Sequence, residues 1–387
     1  MSQPLLITLF TFVDGVAQSV YGTLFNLALR KGGIPTNVVG RITSSNLWGA
    51  AIFGLLFGLI ADRFDKKKLI ILSHLLSILF GSYRVIVKSS FQLNITSFFF
   101  GGFSSAVAIV LSTLLVLKTN KENRSKFFGL NFGVGMFTGV LGNIVGGMLG
   151  DVFNIRLVLI FSNLIRLFAL IPLVKVDVET ASTDLNKLNV REFFSTFLPG
   201  KSRVVFYYLM SVISVGFGAG LFVTFGNVIF YDLFKFSSTI IGTILSLAQL
   251  ATSLGAVFSH KLGKKFGDMN ILVFSYVFVP ILIVLLSFIR EPIIFTFVYV
   301  LRFAVMNMVS PLLSALIFSN VRKSRLATVN GVSNFVNNVA RALSAELFAF
   351  LTVFQNGYTL IFVISSVFYF LNAYVMIKMY KHLGYTV

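Results

Sequence analysis

The chain has 387 residues, 56% hydrophobic and only 12% charged, too few charges to cover the surface of a soluble protein of this length. A net charge of +19 would suit a nucleic-acid binder, but the basic residues sit in short loops between long apolar blocks, which excludes that class in favour of a membrane protein. Cysteine is absent and the three histidines (His74, His260, His382) are scattered, so neither a disulfide framework nor a metal-ligand cluster is expected.

Turn and charge signals divide the chain into twelve apolar segments, each near the ~20 residues a helix needs to cross a hydrocarbon core of about 30 Å. The first six run roughly over 4–29, 37–61, 69–88, 91–117, 127–151 and 154–175. The N-terminus lacks the basic start and small-residue cleavage site of a secretory signal, so it reads as the opening of the first span. Gly32-Gly33-Ile34-Pro35 punctuates the first break. The longest polar interval follows at 176–203; within it, 189–198 has apolar residues at helical spacing and reads as a structured linker or a surface-lying helix. The second six segments fall near 204–231, 237–260, 269–289, 292–319, 327–353 and 356–380, with Arg290-Glu291-Pro292 as one clear break. The expected fold is therefore an all-α integral membrane protein of twelve transmembrane helices in two pseudo-symmetric six-helix bundles, 1–175 and 204–387, joined by a cytoplasmic linker at 176–203. Basic residues favour one side of the membrane about threefold, which by the positive-inside rule puts both termini in the cytoplasm of a cell-membrane protein.

The two halves echo each other. Arg124-Ser125-Lys126 and Lys323-Ser324-Arg325 each end an inner loop and open a fifth segment, and Asn131 and Asn330 follow at the same distance. Parallel repeats of this kind are used by transporters to place a site between two halves. Gly58-Leu59-Ile60-Ala61-Asp62-Arg63-Phe64-Asp65-Lys66-Lys67, between segments two and three, then resembles the loop signature of the major facilitator superfamily: Gly, three residues, Asp-Arg, any residue, Gly, two basic residues. Asp65 stands where the second Gly is usual. In this reading Gly58 permits close helix approach, while Asp62, Arg63, Lys66 and Lys67 cap helix ends and latch one conformation. Gly135, Gly139, Gly142 and Gly146 form a small-residue packing face in segment five that resembles the family's exporters, with Asn143 where those carry Pro and Ser97 where many carry Arg.

Ionisable groups inside spans are costly unless paired or hydrated, so each is a functional candidate. Asp14 lies about 15 Å along the first segment, near the midplane, with Gln18 and Tyr21 on its face. The resemblance implies that segments one, four, seven and ten line a central cavity. Asp14 is thereby a candidate for proton coupling or substrate contact, beside the alternative of a structural hydrogen-bonding Asp. Arg302, in segment ten, needs an anion: Asp14, Glu346 or a substrate group; Asn307 follows it. In segment eleven Asn330, Asn334, Asn337, Asn338 and Arg341 recur on one face, and Glu346 is a candidate relay or gate partner for Arg341. Arg166 is the weaker candidate, because a long cation there can snorkel to the cytoplasm.

Gly200-Lys201-Ser202 lacks the first Gly and preceding strand of a phosphate-binding loop, so ATP-driven transport is not expected. A lipid-modifying enzyme would need acids or histidines paired near the bilayer centre, and a channel remains a further class. No enzyme activity and no cofactor are expected. The reading is a monomeric secondary transporter in the bilayer. It exchanges a small molecule, with protons, by alternating access. The expected activity is proton-coupled export of amphipathic or hydrophobic compounds, favoured by the Gly face and by aromatics such as Tyr21, Phe98, Phe99, Phe100, Tyr207, Phe217, Phe222 and Phe225; the alternative is uptake or facilitated passage of a polar or anionic metabolite gripped by Arg302 and Arg341.

Overall fold

A computed structural model describes residues 2–61, 64–120, 122–177, 203–320 and 326–384. Every regular element among them is helical, as a hydrocarbon environment demands of a backbone that must satisfy its own hydrogen bonds. In order they are α1 (Gln3–Lys31), α2 (Thr36–Ile60), α3 (Lys66–Ile86), α4 (Ser90–Leu117), α5 (Arg124–Val152) and α6 (Ile155–Ile165). A 3₁₀ turn (Arg166–Ala169) and the short α7 (Leu170–Val174) follow. After the linker come α8 (Arg203–Phe222), a 3₁₀ turn (Val223–Phe225), α9 (Gly226–Phe234), α10 (Ser238–Phe266), α11 (Asp268–Phe288), α12 (Pro292–Asn320), α13 (Leu326–Leu351) and α14 (Gly357–His382). Among the described residues, nine helical stretches are long and apolar enough to cross a membrane.

Two compact units result. One comprises Met1–Asn186 with Phe230–Ser246, the other Lys187–Ile229 with Leu247–Val387. The expected domain boundaries differ from these, because the stretch Phe230–Ser246 packs with the first unit.

Within the first unit, α1 and α5 run parallel and in register. Thr11 Oγ1 donates to Asn131 Oδ1 at 2.7 Å, Thr23 Oγ1 to Asn143 Oδ1 at 2.6 Å, and Lys31 Nζ to Asp151 Oδ1 at 3.3 Å; each pair is 120 residues apart. At a rise of ~1.5 Å per residue these rungs cover roughly 30 Å, the thickness of a hydrocarbon core. Between the rungs Gly142 lies so close that an added Cβ would sit 2.7 Å from the Val16 carbonyl oxygen, so only glycine lets the backbones approach this far. Asn143, where the family's exporters carry Pro, is thus a cross-helix acceptor. In the second unit α8 and α13 form the corresponding pair, with an added Cβ on Gly216 only 2.7 Å from Asn337 Oδ1 and one on Gly220 2.9 Å from Arg341 Cα.

The small-residue face is only partly used. An added Cβ on Gly146 would meet Val20 Cα at 3.0 Å, but one on Gly135 would meet nothing within 4 Å. The tightest packing is elsewhere: α2 and α4 cross so closely that a Cβ on Gly49 would collide with the Phe98 carbonyl and one on Gly101 with that of Asn46.

The loop that suggested a latch is described in part. Asp62 and Arg63 lie outside the described residues, as does the 189–198 stretch. Gly58 does not mark a close approach, since an added Cβ there meets nothing within 4 Å. Asp65, in place of glycine, caps α3 by accepting from the Lys68 backbone N–H at 3.1 Å. Lys67 Nζ donates to the carbonyls of Val174 and Val176 at 2.5 and 2.9 Å, completing the C-terminal end of α7. Lys66 is buried at the first turn of α3.

Candidate functional site

The first unit holds a buried charge cluster built from α1, α3 and the α6–α7 junction. Arg166 Nε donates to Asp14 Oδ1 at 2.6 Å and its Nη1 to Asn163 Oδ1 at 3.1 Å. Asn163 in turn donates to the Ile78 carbonyl and to Ser82 Oγ of α3. Arg166 is 1% exposed, so the expectation that it snorkels to the cytoplasm is corrected: Asp14 gives it a nearer anion.

The 3₁₀ turn adds a second consequence. Leu170 N–H bonds to the Leu167 carbonyl rather than back to Arg166, leaving the Arg166 carbonyl without its α-helical donor. His74 supplies one, with Nε2 at 2.9 Å. A carbonyl only accepts, so Nε2 carries the proton, and the neutral ring turns its lone pair at Nδ1 towards Asp14 Oδ1, 3.9 Å away. His74 Nδ1 is buried and otherwise unpartnered. An added proton at Nδ1 would therefore face a carboxylate. The sequence reading passed over His74, because it looked for clustered metal ligands rather than for a single proton carrier inside a span.

Along α1 from Asp14, Gln18 is half-buried and Tyr21 is fully buried. The Tyr21 hydroxyl donates to the Gly81 carbonyl at 2.6 Å and accepts from Arg84 Nε at 2.8 Å. Its role among the described residues is to tie α1 to α3.

The second unit is organised differently. Arg302 donates through Nη2 to the Tyr369 hydroxyl and lies over the rings of Phe222, Phe303 and Tyr369 at 4.9–5.2 Å. Arg341 Nη2 donates to Thr224 Oγ1 at 3.2 Å. Neither guanidinium meets a carboxylate among the described residues. Glu346, expected to pair with one of them, is exposed about one and a half turns from the end of α13 and takes part in no ion pair seen there. Asn307 Nδ2 bridges to Thr252 Oγ1 at 3.1 Å, joining α12 to α10. Several aromatics named as cavity candidates are packing instead: Phe225 stacks on Phe348 at 3.7 Å, and Phe98 and Phe99 pack against Phe53.

A cavity of about 260 Å³ opens within this unit. Among the described residues its polar lining comes from Tyr208, Ser211, Tyr276, Ser333, Asn334 and Asn337, with four apolar side chains and no charged one. Asn334 and Asn337 thus face a cavity, whereas Asn338 is half-buried outside its lining. Among the described residues no group of three or more His, Cys, Asp or Glu side chains converges as a metal site would require.

Comparison with known proteins agrees with this architecture. A variant of the nucleoside transporter NupG superposes with a TM-score of 0.81 at 15% identity, covering 98% of this chain and 100% of that one. A bacterial homologue of the human lysosomal transporter Spinster gives 0.76 at 13% identity, covering 98% and 96%. A D-xylose–proton symporter gives 0.74 at 16% identity, again covering 98% and 96%. No curated protein is matched by the sequence. Residues 7–345 match the model of the Major Facilitator Superfamily, so the chain belongs to that superfamily: a multi-pass membrane transporter rather than an enzyme, moving a small molecule by secondary-active alternating access.

Proposed function

We propose that the chain carries a neutral, polar, hydroxyl-rich metabolite across the cell membrane, by uptake or facilitated passage, rather than exporting hydrophobic compounds. The observation that carries this reading is the lining of the second-unit cavity. Its hydroxyls and amides can exchange hydrogen bonds with a substrate that has many of them, and among the described residues it offers no charge to grip an anion. Arg302 and Arg341 donate through Nη2 to Tyr369 and Thr224 and are not among the described residues that line it. Likeness to a nucleoside transporter and to a D-xylose–proton symporter leans the same way.

The accompanying topology is twelve spans, six on either side of 176–203, with both termini cytoplasmic. Coupling to protons is assigned to Asp14 and His74, where a proton on Nδ1 would be shared with the carboxylate. Proteoliposome flux of a labelled nucleoside, a pentose and a lipophilic dye, with and without a proton gradient, tests the reading. Saturable polar flux is expected, with its KM raised about tenfold by Asn334→Ala/Asn337→Ala through loss of about 1 kcal/mol or more of hydrogen bonding. Dye flux that competes with neither polar solute, together with absent polar flux, would overturn it.

A further inference from the structure

At the end of the first unit where α1 and α3 finish and α6 begins, a second cavity of about 260 Å³ is lined by Arg84, Lys88 and Arg156. Neither the cluster around Asp14 nor the substrate cavity uses these three cations. Acids at this end are already engaged: Asp232 takes Arg30, at 2.8 Å, and Asp151 takes Lys31. Arg84, Lys88 and Arg156 meet no carboxylate among the described residues.

Arg84 is 5% exposed and held from several sides. Its guanidinium lies 3.8 Å from the Phe25 ring centroid and 3.7 Å from that of Phe100, so aromatic rings cover the plane of the group. Nε is committed to the Tyr21 hydroxyl. Among the described residues no group takes Nη1 or Nη2, and Arg84 lines the cavity, so the free edge of the fork is what it offers there. A planar pair of N–H donors on an otherwise desolvated cation matches two oxygens of a phosphate. Lys88 and Arg156, both exposed, add charge at the mouth.

The rest of the lining says where such a phosphate comes from. Phe25, Leu29 and Leu159 make the walls apolar, and Tyr83, Ile86, Leu157 and Phe161 on the neighbouring turns of α3 and α6 are exposed in the way that lipid-facing residues are. Arg84 lies two residues before the end of α3, about 3 Å from the helix end, which is headgroup depth rather than midplane.

We infer that this cavity binds the headgroup phosphate of an anionic phospholipid, with Arg84 gripping the phosphate oxygens and Lys88 and Arg156 selecting for net negative charge. Such a site is distinct from the substrate path and would let the surrounding lipid set how firmly α1, α3 and α6 are held together.

The test compares wild type with Lys88→Ala/Arg156→Ala, two exposed positions whose replacement leaves the core intact. The purified full chain is presented with phosphatidylglycerol, phosphatidylcholine or inorganic phosphate, and lipid retention is read by native mass spectrometry beside the unfolding midpoint. Wild type is expected to retain phosphatidylglycerol over phosphatidylcholine, and the double variant to lose that preference by roughly tenfold. Arg84→Lys, which keeps the charge but loses the fork, should weaken retention as well, with phosphatidylcholine binding unchanged. Equal retention of both lipids by wild type, or an unchanged preference in the double variant, overturns the inference. Stabilisation by inorganic phosphate alone, lost in the double variant, would make this a soluble-anion site and overturn the lipid assignment.

Discussion

Replacing Arg166 by Gln leaves the Asp14 carboxylate buried without its counter-ion. The Nε–Oδ1 distance is 2.6 Å and the two side chains are 1% and 12% exposed, so water screens the pair poorly. Breaking such a pair from one side costs about 3–5 kcal/mol, whereas removing both charges costs far less because no stranded ion remains. The first unit has about 200 residues, for which 1 kcal/mol moves the unfolding midpoint by about 2–4 °C. Arg166→Gln is therefore expected to lower the midpoint by about 10 °C, and Asp14→Asn/Arg166→Gln to recover at least half of that loss. The assay is built into the sequence: Trp48, the single tryptophan, lies on α2 in the first unit and reports its unfolding by fluorescence. A drop of less than ~2 °C in the single variant, or a double variant no better than the sum of the singles, would refute the argument that the pair is desolvated and mutually dependent.

Two other outcomes follow from the geometry. His74→Gln keeps an N–H donor within reach of the Arg166 carbonyl but loses the protonatable Nδ1, so gradient-driven accumulation should fall at least tenfold while solute exchange without a gradient persists; unchanged accumulation counts against His74 as the proton carrier. Asp232 accepts from Arg30 Nε and Nη2 and from Thr36 Oγ1, and Asp151 accepts the backbone N–H groups of Ser238 and Thr239. Asp151→Asn/Asp232→Asn should raise the thiol-labelling rate of Ile241→Cys, a fully buried position in a chain with no native cysteine, by about tenfold or more, since each charge-assisted bond lost is worth about 1.5–3 kcal/mol; an unchanged rate would mean that the segment is held by apolar packing alone.

The helices were legible because apolar length is a one-dimensional signal. The stretch expected at 4–29 is realised as Gln3–Lys31, and that at 91–117 as Ser90–Leu117. What periodicity did not reveal was the 3₁₀ turn at Arg166: its sequence, Arg-Leu-Phe-Ala, has no glycine or proline to mark it, and its stabilising contact comes from His74, 92 residues away. The partners of charges were illegible for the same reason. Asp14 was visible as an intramembrane acid, but α1 has many helices to turn towards, and only packing decides that it meets Arg166 rather than Arg302. Glu346 was visible as an acid in a spanning segment, but its position just off the polar face did not reveal that it is exposed and meets no cation among the described residues. Asn334 and Asn337 stood out as part of a stripe, yet the hydroxyls of Tyr208, Ser211 and Tyr276 that complete the cavity come from other helices and carry no local pattern.

The first unit is not one continuous stretch of chain: Phe230–Ser246 completes it after residues 187–229 have gone to the other. On the ribosome, then, the N-terminal helices emerge with their last contacts still unsynthesised. Asp151 and Arg30 wait for Ser238 and Asp232, and at ~5–20 residues per second the wait is on the order of ten seconds. During it Asp151 has Lys31 but lacks its backbone N–H donors, and Arg30 on the last turn of α1 lacks its carboxylate. Maturation of the N-terminal portion is thereby timed by synthesis of the C-terminal one, and truncation before residue 232 should yield a species whose first helices are inserted but still open to degradation.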